Sequence, residues 1–79
     1  MYYVYILQSL SNETKHYTGF TKDLKNRIKK HNKGDVTYTA KFKPWKMITY
    51  ISFDSEQKAR DFERYLKSHS GRAFAKKHF

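Results

Sequence analysis

The sequence predicts an α+β fold in one small domain spanning residues 1–79, with its elements in the order strand, strand, helix, strand, helix. Three stretches rich in Tyr, Val, Ile and Phe, at 2–10, 15–21 and 46–53, are typical of strands. The two stretches that follow the second and third strands begin with capping residues and carry apolar pairs at helical spacing. Since the chain has 79 residues and no cysteine, one core without disulfides must stabilise it.

The first two strands are predicted to form a hairpin. Residues 2–10 contain no charged side chain, which favours a central strand covered on both faces. A turn sequence, Ser11-Asn12-Glu13, separates this strand from an alternating second strand over 15–21. Gly19 lies inside the second strand and indicates either a β-bulge or a place where a backbone or ligand comes close.

A helix is predicted from a cap at Thr21 or Asp23 through Lys33, and Gly34 is suited to end it in the left-handed conformation. Its polar face offers two side chains at i,i+4 spacing, and we expect them along one edge of the sheet. These are Arg27 and His31, beside the apolar pair Leu24 and Ile28.

The second half of the chain is predicted to contain an irregular segment over 35–44, a strand over 46–53 and a helix to about His69. Asp54 or Ser55 would cap that helix, with Gln57 completing a capping box with Asp54. Gly71 is expected to end it, leaving at most one helical turn in 72–79. Glu63 lies about 40° from Ala59, at the margin of the apolar stripe.

The charge balance predicts a polyanionic partner. The net charge is +10, and four of the seven acidic residues fall within 54–63, so the other segments are more basic still. This favours nucleic acid over a membrane surface. The N-terminal apolar run is too short to span a bilayer and lacks the features of a secretion signal, and we expect a cytoplasmic protein.

Several common nuclease chemistries are excluded by the residues. The sequence has no paired-carboxylate motif for two metals, no His or Cys cluster with zinc spacing and no Gly-rich phosphate loop. Tyrosine, arginine, histidine and one glutamate remain as candidates. In chain order the motifs that contain them are Tyr3-Val4-Tyr5-Ile6-Leu7, Tyr17-Thr18-Gly19-Phe20-Thr21, Arg27-x-x-x-His31-Asn32, Tyr38-Thr39, Lys43-Pro44-Trp45 and Ala59-x-x-x-Glu63.

Together these motifs resemble the GIY-YIG nuclease superfamily, in particular its small stand-alone UPF0213-like branch, which is related to structure-selective nucleases. The resemblance covers nearly the whole chain and implies a three-stranded antiparallel sheet flanked by helices. It also implies divalent-metal-dependent hydrolysis of DNA phosphodiester bonds. A non-catalytic nucleic-acid binder on the same fold and a module targeted by a protein partner are the alternatives.

The resemblance implies a role for each candidate catalytic residue. Tyr5 and Tyr17 would line the catalytic face, with Tyr17 favoured to assist deprotonation of water, a task for which a phenol needs a nearby cation. Arg27 would contact the phosphate, and His31 would orient the water or shuttle its proton. Glu63 would hold a single Mg²⁺ or Mn²⁺. The expected nucleic-acid contacts are Lys22, Lys25, Lys30, Tyr38, Lys41 and Lys43.

Each candidate also has a purely structural interpretation. Tyr3, Tyr5 and Tyr17 could be core rings. Arg27 and Glu63 could simply form an ion pair with each other. The remaining alternatives are a helix-dipole partner for His31, packing roles for Tyr38 and Trp45, and an ordinary solvated face for the lysines of the first helix.

Overall fold

A computed structural model describes all 79 residues and has three strands and four helices. The strands form one antiparallel sheet in the order β2-β1-β3, so β1 is the central strand, as predicted. The elements are β1 (Tyr2–Ser9), β2 (His16–Thr21), α1 (Leu24–Lys33), α2 (Thr37–Ala40), β3 (Trp45–Phe53), α3 (Glu56–Leu66) and α4 (His69–His78). No helix is both long enough and apolar enough to cross a membrane.

The two faces of the sheet bury different side chains because successive residues of β1 point in opposite directions. Val4 and Ile6 point to one face, where they pack against Ala59 and Leu66 of α3; this cluster is the apolar core. Residues of the other face form a second cluster, the ring core, whose buried members are Tyr5, Leu7 and Trp45. Helix α1 packs against this ring core. The predicted pair Leu24 and Ile28 packs against the ring core, so this part of the helix prediction is confirmed.

Helix α1 begins and ends where its sequence predicts. The Asp23 carboxylate accepts a hydrogen bond from the Asn26 N–H at 3.1 Å, which satisfies one free donor of the first turn. Gly34 follows the last turn with φ of 83°, a conformation that favours glycine. The cap of α3 is Ser55, whereas the predicted capping box is wrong, because the Gln57 side chain bonds to Asp61 instead.

Two of the segment predictions need correction. Residues 37–40, predicted as irregular, form the single turn α2. Helix α3 ends at Leu66, before the predicted His69, and the expected tail is the ten-residue helix α4. Ser68 caps α4 by accepting from the Gly71 N–H at 3.1 Å, so a capping serine restarts the chain as a helix.

Gly71 therefore does not end a helix; it lies inside α4, where the two last helices meet. A Cβ at this position would collide with the carbonyl group of Tyr65 and lie 2.6 Å from the Cα of Leu66. Glycine is required here because the backbones of α3 and α4 touch. Close packing and helix termination both select glycine, so the sequence alone does not distinguish them.

The β-bulge lies in β3 and not at Gly19. Leu7 pairs with Met47 and Ile6 pairs with Thr49, so Ile48 is the extra residue. At Gly19 the pairing with Tyr5 is regular, and a Cβ there would clash with the Tyr5 ring and hydroxyl. Neither interpretation of Gly19 is therefore correct, because the group that comes close is the side chain of Tyr5 and not a backbone or a ligand.

Candidate active site

The candidate catalytic residues collect at the open edge of the sheet formed by β2. Tyr5 reaches this edge from the central strand because Gly19, its cross-strand neighbour, leaves space for the ring. Tyr17 lies on β2 itself, with its ring centroid 6.3 Å from that of Tyr5. Arg27 and His31 approach from α1, as their i,i+4 spacing predicts.

A chain of hydrogen bonds links Tyr5 to the interior. The Tyr5 hydroxyl lies 2.9 Å from His31 Nε2, and His31 Nδ1 lies 2.7 Å from the Thr39 hydroxyl. Thr39 in turn donates to the carbonyl of Val36 at 3.3 Å. Tyr5, His31 and Thr39 are all fully buried.

The direction of these bonds follows from the last one. Because the Thr39 proton goes to Val36, its oxygen must accept from His31 Nδ1–H. Neutral His31 then presents a bare Nε2, which accepts the Tyr5 proton. The Tyr5 oxygen is left free to accept, and Arg27 Nε donates to it at 3.3 Å. The pattern of hydrogen bonds thus assigns the ring proton of His31 to Nδ1 and the donor role to the Tyr5 hydroxyl.

The pKa values of Tyr5 and His31 are shifted in directions that preserve these hydrogen bonds. Burial raises the pKa of Tyr5 to about 12, with the nearby Tyr17 and Glu63 adding to the effect and the hydrogen bond from Arg27 opposing it. Burial also lowers the pKa of His31, and the positive charge of Arg27 lowers it further. Near neutral pH, Tyr5 is therefore a phenol and His31 is a neutral imidazole.

His31 is consequently not a helix-dipole partner. That interpretation needs a protonated ring near the terminal carbonyls of α1. Instead both ring nitrogens are bonded to side chains, and burial favours the neutral form. Its exposed fraction is 0%, and that of its partner Tyr5 is also 0%, so neither side chain contacts solvent directly.

Tyr17 differs from Tyr5 in its surroundings. It is only partly buried, and its ring lies 5.0 Å from His31 and 6.0 Å from Tyr38, centroid to centroid. The ammonium of Lys67 lies 5.9 Å from the centroid of the Tyr17 ring. Tyr17 is therefore the tyrosine of this pair that solvent can reach, with a cation beside it.

Glu63 approaches the same edge from α3, on the opposite side of the sheet. Its side chain is 20% exposed, in agreement with the predicted position at the margin of the apolar stripe. The carboxylate pairs with Lys67 at 2.9 Å, and no ion pair within 4 Å joins it to Arg27. The suggestion that Arg27 and Glu63 pair with each other is thus wrong, and Arg27 has no acidic partner.

Glu63 offers one carboxylate ligand to a magnesium ion, and it is not part of a cluster of metal-binding side chains. No group of three or more His, Cys, Asp or Glu side chains is present that could enclose a metal. Mg²⁺ is commonly bound by one or two carboxylates, with waters and substrate phosphates supplying the other oxygens. A single carboxylate that is partly exposed meets this requirement when Lys67 gives way.

Asn32 fixes the end of α1 against the start of β3. Its side-chain oxygen accepts from the Trp45 N–H at 2.6 Å, and its amide donates to the Trp45 carbonyl at 3.1 Å. The Trp45 indole donates to the carbonyl of Thr39 at 2.9 Å. Trp45 is 4% exposed, so its packing interpretation is correct, and it supports the segment that carries Thr39.

The predicted nucleic-acid contacts are all exposed. Tyr38 is 71% exposed and adjoins Tyr17, so it is available for stacking. Lys22 lies near the other end of β2, 4.0 Å from Glu56 and 5.3 Å from the centroid of the Tyr2 ring. The other predicted lysines are surface residues on α1 or after α2: Lys25, Lys30, Lys41 and Lys43.

Sequence reasoning gave no role to two members of the cluster, Thr39, although it stands in the motif Tyr38-Thr39, and Lys67. Thr39 stands in a segment without periodicity, so nothing in the sequence indicated that its hydroxyl orders His31. Lys67 follows Glu63 at i+4, a spacing at which opposite charges pair on a helix, and this signal could have identified it. Tyr3 packs edge-on against Tyr50 at 6.0 Å and is not part of the cluster.

Comparison with known proteins places this arrangement in a family. The profile of the GIY-YIG catalytic domain matches residues 1–77. The chain belongs to the GIY-YIG family. This confirms the resemblance inferred from the motifs and agrees with the sheet and helices described above.

The GIY-YIG relatives include several UPF0213 proteins. One from Clostridium perfringens is 38% identical over 68 residues, covering 85% of this chain and 71% of the relative. One from Pediococcus pentosaceus is 36% identical over 67 residues, covering 84% and 68%. One from the archaeon Haloquadratum walsbyi is 34% identical over 70 residues, covering 87% and 76%. The chain is therefore similar to the UPF0213 branch, and its domain is of the nuclease type.

Proposed function

We propose that this GIY-YIG domain is a divalent-metal-dependent endonuclease that hydrolyses phosphodiester bonds of DNA, with selectivity for DNA structure. The observation that carries the proposal is the convergence of five side chains from both sides of the sheet at the β2 edge. They are Tyr5, Tyr17, Arg27, His31 and Glu63. Their chemistry supplies a phosphate-binding cation, a phenol accessible to water and a carboxylate for a metal.

Arg27 is the phosphate contact in this proposal. Its Nε is engaged with Tyr5, and it has no acidic partner within 4 Å, so its terminal N–H groups remain to bind non-bridging oxygens. A planar guanidinium suits this bidentate contact better than an ammonium does. Tyr5 and His31 hold Arg27 in place, because a Tyr5 proton directed at His31 leaves the lone pairs of the Tyr5 oxygen free to accept from Nε.

The two tyrosines have different tasks. Tyr5 keeps its proton, since its pKa is raised to about 12 and its hydroxyl donates to buried His31, so Tyr5 is a positioning residue. Tyr17 is accessible and lies beside the Lys67 cation. As a phenol it would orient the attacking water by a hydrogen bond, and as a phenolate, after losing its own proton to solvent, it would accept the proton of that water. His31 serves through Tyr5, which revises its expected direct contact with water.

Glu63 would hold the Mg²⁺ or Mn²⁺ ion. Without the ion, its carboxylate forms an ion pair with Lys67. When bound, a divalent ion supplies Lewis-acid stabilisation of charge on the phosphate. The protein residues contribute the position of the carboxylate at the β2 edge and the charge of Arg27 opposite it. Loss of one such stabilising contact typically lowers kcat by about 10²–10³.

A non-catalytic nucleic-acid binder is the second candidate, favoured by the Glu63–Lys67 ion pair. A carboxylate neutralised by lysine repels phosphate less than a free one, so the edge can bind nucleic acid without a metal.

The deciding experiment compares cleavage and binding in Glu63→Gln and Arg27→Ala with the parent protein. On branched, flapped and single-stranded DNA with Mg²⁺ or Mn²⁺, we expect Glu63→Gln to abolish cleavage while affinity stays equal or increases. Arg27→Ala should lose cleavage and weaken binding. Arg64→Ala, a change at an exposed arginine paired with Asp61, serves as the control. Cleavage by Glu63→Gln at the parent rate would refute the metal role, and absence of cleavage by the parent would leave the binder.

A further inference from the structure

A groove of about 1070 Å³ begins at Tyr17 and runs between the sheet and α4. Its floor contains apolar side chains of the sheet and the last two helices, including Ile6 and Leu66. None of its lining residues is acidic, whereas four are permanently cationic: Lys15, Lys67, Arg72 and Lys76. The chain has seven acidic residues, yet the charged side chains that line the groove are all positive. The groove opens onto the candidate active site at Tyr17.

The geometry points to this groove as a binding channel for a single-stranded arm of nucleic acid that leads to the scissile phosphate at Tyr17. This inference rests on the proposed function and adds a substrate class to it. It also moves the predicted binding surface, because the cations concerned lie just before β2, just after α3 and on α4, and not on α1.

The cations are placed to follow a phosphate backbone. Lys15 precedes β2, and Arg72 and Lys76 lie one helical turn apart on α4, so the two sides of the groove are both basic. Neither Arg72 nor Lys76 has an ion-pair partner within the protein. Their charges are therefore available to an external polyanion.

The aromatic residues favour a single strand over a duplex. Tyr38, at 71% exposed, and Phe79, at 43% exposed, both line the groove among the cations. Cations interleaved with exposed rings suit unstacked bases, because every base offers a face for stacking. A duplex keeps its bases stacked inside and offers these rings no partner.

Lys67 joins the groove to the site. Its ammonium contacts Glu63 and lies over the Tyr17 ring, and its side chain also lines the groove. A strand that passes Lys67 is thus delivered to the edge where Arg27 and Tyr17 converge.

The test measures binding without cleavage, in EDTA, by fluorescence anisotropy. The probe is a labelled oligothymidylate of about 12 nucleotides, within the range of known single-strand sites. Each phosphate contact to a single strand contributes about 0.7 to the slope of log affinity against log salt. We expect the double change Arg72→Ala and Lys76→Ala to reduce this slope by about 1.4 and Phe79→Ala to weaken binding about fivefold.

The matched control is the double change Lys58→Ala and Lys77→Ala. It removes the same amount of charge, one cation from α3 and one from α4, at exposed positions outside the groove. Its slope should stay close to that of the parent. Equal slopes for the control and the groove variant would overturn the proposal, as would equal affinity of the parent for a duplex of the same length.

Further arms identify the strand and separate this inference from the proposed function. Tighter binding of either oligothymidylate or oligouridylate, with the slope change at Arg72 and Lys76, supports the channel and decides between DNA and RNA. Groove-dependent binding by a parent that cleaves no DNA would support the channel while refuting hydrolysis. A groove variant that binds the oligonucleotide and cleaves flapped DNA as well as the parent does would refute the channel but not the proposed hydrolysis.

Discussion

The two faces of the sheet are held by different forces. On one face Val4, Ile6, Ala59 and Leu66 pack with apolar contacts, each buried large side chain contributing about 1.5–3 kcal/mol. On the other, a buried tyrosine and histidine are tied by directed hydrogen bonds. Apolar contacts accept any side chain of similar volume, whereas the hydrogen-bonded chain accepts only donors and acceptors in one order. The face that positions the site is thus the one with the stricter requirements.

The largest expected effect lies on the apolar side, at the corner between α3 and α4. Gly71→Ala would place a Cβ against the Tyr65 carbonyl, and backbone cannot move aside as a flexible side chain can. We expect a loss of about 3 kcal/mol in the free energy of unfolding. Urea denaturation measures it, with Ser70→Ala, an exposed neighbour in the same helix, as the control. A loss equal to that of the control would mean that the corner is not tightly packed.

A smaller effect is expected from breaking the hydrogen-bonded face. Thr39→Val keeps the shape of the side chain but removes the acceptor of His31 Nδ1–H, leaving a buried donor unsatisfied at a cost of about 2 kcal/mol. Thr39→Ser keeps the hydroxyl and should recover most of that loss. Urea denaturation compares the free energy of unfolding of the two variants and so tests the hydrogen bond from His31 to Thr39. Equal values would show that the hydroxyl contributes nothing.

The same face should make stability depend on pH. The pKa of His31 is lower in the folded protein than its ordinary value of 6.5, so the unfolded chain takes up the proton first. Stability is therefore complete above about pH 6.5 and decreases as the pH falls below it. Thermal unfolding between pH 7 and 5.5 measures the decrease, which should be smaller in His31→Gln. The same pH dependence in both proteins would show that His31 is not its source.

The smallest effect concerns the place where the two faces meet. Lys67→Met retains the aliphatic stem but frees Glu63, so Mn²⁺ should bind about twofold more tightly in the absence of nucleic acid. The effect is small because the lysine is half exposed. Electron paramagnetic resonance of free Mn²⁺ measures the affinity, with Lys58→Met as a control on the same helix. Weaker Mn²⁺ binding by the variant would contradict competition between the lysine and the metal.

The faces also differ in how far the sequence predicts them. Apolar periodicity predicts β1, α1, β3 and most of α3, because one spacing decides which side chains are buried. The i,i+4 pair Arg27 and His31 likewise predicts that both reach one edge. Thr39 could not be predicted, since a single turn has no periodicity and its hydroxyl matters only through a tertiary contact. Helix α4 was missed because a glycine that allows close packing resembles one that stops a helix.

The bulge at Ile48 acts as a register lock. Trp45 and Met47 point to the face of the ring core. Tyr50 lies three residues after Met47 and would point to the opposite face of a regular strand, but the extra residue brings it back to the same face. A strand with uniform alternation could slide by two residues and keep its apolar face buried, but a bulged one cannot. The bulge also interrupts the ladder of the outermost strand, whose free edge is thereby a poor template for adding a strand from another chain. The irregularity thus opposes slippage of β3 and the addition of a strand at the β3 edge of the sheet.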